Sequence, residues 1–491
     1  MTVLPHSDLP DRAAAGGRCS RRALLLAGSV AIAQAAAPVR FALAAQDDAL
    51  TPEMFGARGD GVTNDTEAFA DLARAVSMRG GGTIRLRRAT YIVGAQQRSR
   101  ADPSYAFPPA KLLHFVDLPG PLTIIGNGAT LRCAPGLRFG TFNRITGAPT
   151  RNPMPYFNQQ ERATPYEYMI LVERCAGVVT ITDLELDGNL KKLVIGGEYG
   201  DTGHQIAGTG IFLRDNRGSE ILQRIHTHHH PQDGIMIDGI DDPALAVRVT
   251  RRMEDIRSEY NGRQGCSFTG GRNWAIRRSK FSHTGKAGLV SAPAAGVDIE
   301  AEGGKKNRNL SFEDCEFSNN AGCGMVADSG DSEGATFQRC RFVGTTNWSV
   351  WPNKPHFRFA KCTFVGCIVR CFSDPDASRA TQFRDCTFTD DPRLSPTGEV
   401  YREGRPDGSV ADLSDSVNIL FDRCRFLAVG GAVLPWSTGA IFANCTMRQT
   451  SKSTGYPRGT YIGRNTIDGT VGLYGIKIRG ELILNGKPYT P

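Results

Sequence analysis

Leu310-Ser-Phe-Glu-Asp-Cys315-Glu-Phe317 recurs as Ala335-Thr-Phe-Gln-Arg-Cys340-Arg-Phe342 and Phe357-Arg-Phe-Ala-Lys-Cys362-Thr-Phe364. It recurs again as Thr381-Gln-Phe-Arg-Asp-Cys386-Thr-Phe388, Ile419-Leu-Phe-Asp-Arg-Cys424-Arg-Phe426 and Ala440-Ile-Phe-Ala-Asn-Cys445-Thr-Met447. The cysteines are spaced by 25, 22, 24, 38 and 21 residues. One structural unit is therefore 21 to 25 residues long, and the 38 marks an insertion. Looser copies lie upstream at Ile181–Leu186, Leu222–Thr227, Met253–Ser258 and Ile276–Phe281. Each is followed by a polar bend and a short strand opening on glycine, as in Gly210-Ile-Phe-Leu and Gly234-Ile-Met-Ile.

A pair of short strands cannot bury an apolar face alone, whereas identical pairs stacked on one another share a continuous core. A leucine-rich horseshoe has a similar period, but its asparagine ladder and helical return are missing. The repeat predicts a parallel β-helix. Six cysteines then stack in one inward column, where a thiol serves as a small hydrophobe, so mostly free thiols are expected.

The chain has 491 residues, 56 glycines and a formal net charge of +8. Paired Arg21-Arg22 precede a mild apolar run, and Ala42-Leu43-Ala44-Ala45 suits a signal peptidase. Residues 1–45 read as a removable twin-arginine-like export signal, which places the mature chain in the periplasm or outside a bacterial cell. Its removal takes away five arginines and two aspartates and leaves +5. No apolar stretch is long enough for a membrane span. The basic residues are scattered and match no nucleic-acid-binding motif.

Phe55-Gly-Ala-Arg-Gly-Asp-Gly-Val-Thr-Asn64-Asp-Thr-Glu67 opens the next segment. Asn64 and Glu67 make a capping-box pattern, and Phe69, Leu72, Ala73 and Val76 share one helical face. Such a helix would cover the open edge of the stack. From Pro52 to Val93 the sequence resembles the start of the pectate-lyase-like domain of rhamnogalacturonases, polygalacturonase relatives and other exported proteins. The resemblance implies an all-β, single-stranded right-handed parallel β-helix with an N-terminal capping α-helix. The cap spans 46–95 and the solenoid 96–491, with loop insertions near 190–209 and 390–417.

Strand alternation sends neighbours to opposite faces. With Leu184, Ile225, Ile256, Ser279 and Cys315 inward, the outward pairs are Glu185/Asp187, His226/His228, Arg257/Glu259, Lys280/Ser282 and Glu316/Ser318. On the glycine-led strand Met236 and Asp238 face out, between Phe212/Arg214 and Ser267/Thr269. The next coil supplies either Val290/Ala292 or Asp298/Glu300. Asp233 and Gln264 align at successive bends.

Chemistry-bearing residues concentrate from Asp187 to Glu302 and thin out beyond Cys340. Asp238 with Asp298 or Glu300 can divide acid and base roles, with Asp233 and His228 as further catalytic candidates. Asp187, His226, Arg257, Glu259, Tyr260, Arg263, Gln264 and Lys286 line the expected substrate groove. His226 and His228 with an acid make an incomplete zinc set, so the histidines read as a neutral wall and no metal is assigned.

The resemblance implies a polysaccharide as substrate, and hydrolysis is slightly favoured. The polygalacturonase Asn-Thr-Asp, Asp-Asp, Gly-His-Gly and Arg-Ile-Lys pattern is absent, and Asp241-Asp242 falls beyond the strand. β-Elimination of a uronate polymer, which would bring Ca²⁺ as cofactor, is the first alternative. Epimerisation is the second, although His230-Pro231-Gln232-Asp233 only superficially matches the epimerase Asp-Pro-His-Asp motif. A non-catalytic sugar-binding or surface-structural β-helix is the rival of another class. Either a monomer or a trimer fits.

Overall fold

The computed structural model describes residues 48–102, 104–150, 161–197, 206–402, 408–413 and 416–490. The export-signal reading at 1–45 and His204 of the first insertion lie outside the described residues.

The strands wind into coils whose equivalent segments pair in parallel, forming three ladders. The first holds Gly82–Arg85, Arg251–Glu254, Trp274–Arg277, Asn307–Glu313, Ser332–Gln338 and their successors. The second runs through Arg257–Glu259, Lys280–Ser282, Glu316–Ser318 and Arg341–Val343. Three long strands, Leu122–Cys133, Val179–Asp187 and Glu220–His228, span both ladders without a break. The third ladder holds Leu113–Val116, Tyr168–Glu173, Thr209–Arg214, Asp233–Asp238, Gln264–Arg272 and Ala295–Ile299.

The predicted inward positions fill the core. Phe312, Phe337, Phe359, Phe383, Phe421 and Phe442 stack along the first ladder with centroids 4.7 to 5.2 Å apart. Phe317, Phe342, Phe364, Phe388 and Phe426 do the same along the second, at 4.6 to 5.0 Å. The twelve described cysteines are buried free thiols. Cys340 Sγ reaches the Phe312 carbonyl of the preceding coil at 3.5 Å, and Cys386 Sγ reaches that of Phe359 at 3.6 Å. The column thus meets the backbone of the coil below as well as filling space.

Where the first ladder turns into the second, one residue per coil takes left-handed φ. These include Asp183, Arg224, Asp255, Arg278, Asp314, Arg339, Lys361, Asp385, Arg423 and Asn444, with φ between 45° and 60°. Non-glycine residues seldom adopt this conformation, yet here it repeats coil after coil. The charges at this turn pair across coils through two bonds each, Arg224 on Asp183, Arg278 on Asp255, Arg339 on Asp314 and Arg423 on Asp385, at 2.5 to 3.1 Å.

Helix α1, Thr66–Met78, buries Phe69, Leu72, Ala73 and Val76 as its pattern predicts. Its start differs from the expected capping box. Asn64 ends a strand, and its Oδ1 accepts from Thr66 N and Thr66 Oγ1 at 3.0 and 2.5 Å. Asp65 occupies the N-cap position without a side-chain capping bond, because its carboxylate is engaged by Arg58 N and Gly59 N. A small four-stranded sheet of Tyr105–Phe107, Arg138–Thr141, Arg162–Ala163 and Val194–Ile195 was not anticipated.

Candidate functional site

Register places the outward columns as alternation predicts. Glu185, His226, Arg257, Lys280 and Glu316 follow one another on the second ladder, beside Asp187, His228, Glu259, Ser282 and Ser318. On the third, Met236, Ser267 and Asp298 align, as do Asp233 and Gln264. The choice left open for the next coil falls to Asp298. The expected groove residues therefore divide between two ladders rather than sharing one.

On the second ladder His228 Nε2 lies 3.0 Å from Glu185 Oε1, and Thr130 Oγ1 donates to Glu185 Oε2 at 2.9 Å. The bond to His228 outweighs burial and holds the Glu185 carboxyl down to about 2. His228 Nδ1 is 2.7 Å from His229 Nδ1 and 3.6 Å from Asp187 Oδ1, and Asp187 in turn accepts from Arg132 Nε at 2.8 Å. On the next coil Glu259 is buried, which raises its carboxyl. Contacts from His226, Ser282 and Arg257 more than reverse this and bring it to about 2. Arg257 Nε lies 2.5 Å from Glu259 Oε2, and His226 Nε2 lies 3.7 Å from the same oxygen.

The turn that follows carries His229, Tyr260 and His283, each at left-handed φ and stacked at 5.1 and 4.5 Å. Burial, then the charge of His228, brings the His229 imidazole down to about 4. His230 has no exposed surface and bonds Tyr166 Oη through Nδ1 at 2.7 Å, and burial drives its imidazole well down.

Two sets have donors close enough to share an ion, Glu185/His226/His228 and Asp187/His228/His229, each with ligand atoms within 4.8 Å of one another. Calcium takes six to eight oxygen ligands, and both sets contain imidazole nitrogen, so neither suits the Ca²⁺ a lyase would bring.

On the third ladder Asp233 is fully buried and neutralised, accepting from Arg263 Nε at 2.9 Å, Arg263 Nη2 at 2.7 Å and Ser267 Oγ at 2.7 Å. These bonds occupy both Asp233 carboxylate oxygens. Asp298 is also buried. Its Oδ2 accepts from Gln264 Nε2 at 2.8 Å, while Oδ1 has no partner among the described residues. Burial, reinforced by the charge of Glu300, pushes the Asp298 carboxyl well up. Burial likewise raises Glu302 and Asp328. Glu300 accepts from the Ser329 hydroxyl.

Arg263, Ser267, Asp298, Glu300 and Glu302 line one small cavity of about 50 Å³. Pro293 joins it to a second, of about 410 Å³, lined by Asp328, Trp348 and Trp351 among others. The rings of Trp348 and Trp351 meet edge to face at 5.3 Å.

Asp238 takes no part in this cavity. A register shift between Ile237 and Asp238 sets it opposite Gly270, and Lys305 Nζ holds its Oδ1 at 2.9 Å. Lys286 stands apart too, with Nζ 3.3 Å from Thr346 Oγ1. The tryptophans, Asp328 and Glu302 were missing from the sequence-derived set. Trp348 and Trp351 flank the start of the Val350–Pro352 strand, beyond Cys340 where chemistry was expected to thin out. Their spacing beside a strand opening was the available signal.

Residues 168–364 match the family model described as a right handed beta helix region. The match covers about two fifths of the chain, and over those residues it agrees with the parallel ladders of the structure on a right-handed β-helix fold. A 43-residue stretch is 54% identical to the capsule KN3-specific depolymerase 1 of Klebsiella phage KN3-1, covering 9% of this chain and only 5% of that protein's length. The A-module of mannuronan C-5 epimerase AlgE4 from Azotobacter vinelandii is 14% identical with a TM-score of 0.41, over 87% of this chain and 98% of that one. Tailspike protein gp49 of Acinetobacter baumannii bacteriophage Fri1, a capsular polysaccharide depolymerase, is 13% identical with a TM-score of 0.41, over 87% of this chain and 64% of that one.

Proposed function

We propose that this chain is an exported enzyme that cleaves glycosidic bonds of a polysaccharide, an acidic one, by carboxylate-assisted hydrolysis. The observation that carries the reading is Asp298, a buried carboxyl that burial pushes well up, with one oxygen unpartnered among the described residues, in a cavity it shares with Glu300. A glycosidase needs one carboxyl that keeps its proton for the leaving oxygen and a second to serve as base or nucleophile. Asp298 takes the acid role and Glu300 the second. Trp348 and Trp351 offer apolar ring faces in the adjoining cavity, against which a sugar ring packs.

The short identity with a capsule depolymerase supports a polysaccharide substrate. Among the described residues no helix is long and apolar enough to cross a membrane. Helix α1 is taken as the cap of the N-terminal coil.

The test is a panel of polyuronates and bacterial capsular polysaccharides, following reducing ends and the ultraviolet absorbance of unsaturated uronates together. Hydrolysis gives reducing ends without absorbance, and Asp298→Asn abolishes it while the far-UV spectrum is kept. Absorbance rising with reducing ends would replace hydrolysis by elimination. Binding with neither product would sink both.

A further inference from the structure

We propose that Glu185, His226 and His228 on the second ladder bind one divalent transition-metal ion, zinc foremost, through three protein donors and one position open to solvent. This does not depend on the carboxylates of the third ladder, which belong to a different face of the coils.

His226 and His228 are two apart on one strand, so both imidazoles leave the same face, with centroids 4.3 Å apart and planes inclined by 32°. Glu185 is the register partner of His226 on the preceding coil. All three donors lie within 4.8 Å of one another. Zinc held at about 2.1 Å in a tetrahedron needs donors roughly 3.4 Å apart. The 3.0 Å contact of His228 Nε2 with Glu185 Oε1 is already near that spacing.

Metal ligands are oriented by a second set of hydrogen bonds, and these exist before any ion arrives. Thr130 Oγ1 fixes the other Glu185 oxygen, and the far nitrogen of His228 is bonded to His229 Nδ1 at 2.7 Å. Solvent access is available as well. Glu185 and His226 open onto a cavity of about 370 Å³ that Asp183, Arg224, Asp255 and Arg257 also line. Two imidazoles with one carboxylate suit zinc, nickel or copper over calcium or magnesium. His228 also belongs to the Asp187/His229 set, but through its other ring nitrogen: Nε2 faces Glu185 and Nδ1 faces His229.

The untagged full-length chain, stripped with a chelator, is titrated with Zn²⁺ against a chromophoric competitor, and separately with Co²⁺. One equivalent binds, Co²⁺ gives the visible bands of a four-coordinate site, and the thermal midpoint rises because the ion ties two coils together. His226→Ala, His228→Ala and the shape-conserving Glu185→Gln each weaken binding about ten-fold or more, with far-UV spectra confirming the fold. His356→Ala, at a half-buried histidine paired to Glu333, leaves binding unchanged. Failure of wild type to bind a stoichiometric ion would overturn the proposal. So would undiminished binding by folded His226→Ala, His228→Ala and Glu185→Gln.

Discussion

Replacing Arg263 by methionine removes the only cation bonded to Asp233 among the described residues while keeping most of the side chain's bulk. Asp233 has no exposed surface, and the Arg263 side chain is 7% exposed. Burial opposes the guanidinium charge, but Asp233 overcomes it and holds Arg263 more firmly protonated than free arginine. Breaking a buried pair on one side strands the other charge, at a cost of about 3–5 kcal/mol. Unfolding entropy near 2.1 cal/mol/K per residue gives roughly 0.9 kcal/mol/K for a chain this size, so the midpoint falls by about 3–5 °C.

The double variant Arg263→Met with Asp233→Leu removes both charges and recovers most of the loss, with the Ser267 hydroxyl left to find a new partner. Thermal melts followed by circular dichroism, with limited proteolysis alongside, read both variants. A single variant within about 1 °C of wild type, or a double variant no better than the single, would refute the argument that the stranded carboxylate sets the cost. The site is linked to the same pair. Arg263 opposes the rise of the Asp298 carboxyl, so folded Arg263→Met keeps the Asp298 proton to higher pH. Its alkaline activity limb moves upward.

Phe383→Ala empties a fully buried position stacked on Phe359 and Phe421 at 4.9 and 5.0 Å. The expected loss is about 3–5 kcal/mol, seen as early denaturant unfolding of the surrounding coils and absent from Phe383→Leu by more than half. His230 is kept neutral by burial, so as pH falls the unfolded chain takes up that proton first. Stability is then complete above about pH 6.5 and declines below it by up to about 1.4 kcal/mol per pH unit. Urea midpoints between neutral and mildly acid pH should lose part of this slope in His230→Gln, and equal slopes would contradict it. Trp351→Ala, on the cavity wall, should raise KM several-fold with kcat nearly unchanged, since it removes binding shared by ground and transition states. A kcat loss alone would place Trp351 nearer the reacting bond.

The coils and their facing residues were legible because the phrase around each cysteine is local and repeats, which fixes inward positions and hence outward ones. Glu185 beside His226 follows from counting alone, whereas Asp298 beside Ser267 was one of two choices that counting left open. The expected sharing of a face by Asp238 with Asp298 or Glu300 meets a register shift, because beside Ile237 and Asp238 the neighbouring strand carries one extra residue, Thr269, that no pattern announces. Division of the groove between two ladders was hidden for a related reason. The bend at His229, Tyr260 and His283 turns the chain through one left-handed residue, and these side chains give no compositional hint of it. The tryptophan wall depends on which turns meet in space, and the small sheet joins segments as far apart as Tyr105 and Val194.

The alternating charges at the left-handed turn solve a problem that the phenylalanine stacks create. If one coil were looped out during folding, phenylalanine would still land on phenylalanine and cysteine on cysteine, so the core offers little resistance to the omission. The turn does resist it. Skipping the Asp314 coil sets Arg339 against Arg278, and skipping the Arg278 coil sets Asp314 against Asp255. Exposed pairs such as these add only about 0–1 kcal/mol each to the finished fold, but omission exchanges each attraction for a repulsion. From Asp183 to Arg339, where the signs alternate coil by coil, the ladder acts as a proofreading code on a nearly uniform stack: the core measures how many coils are joined, and the charges check that none has been missed.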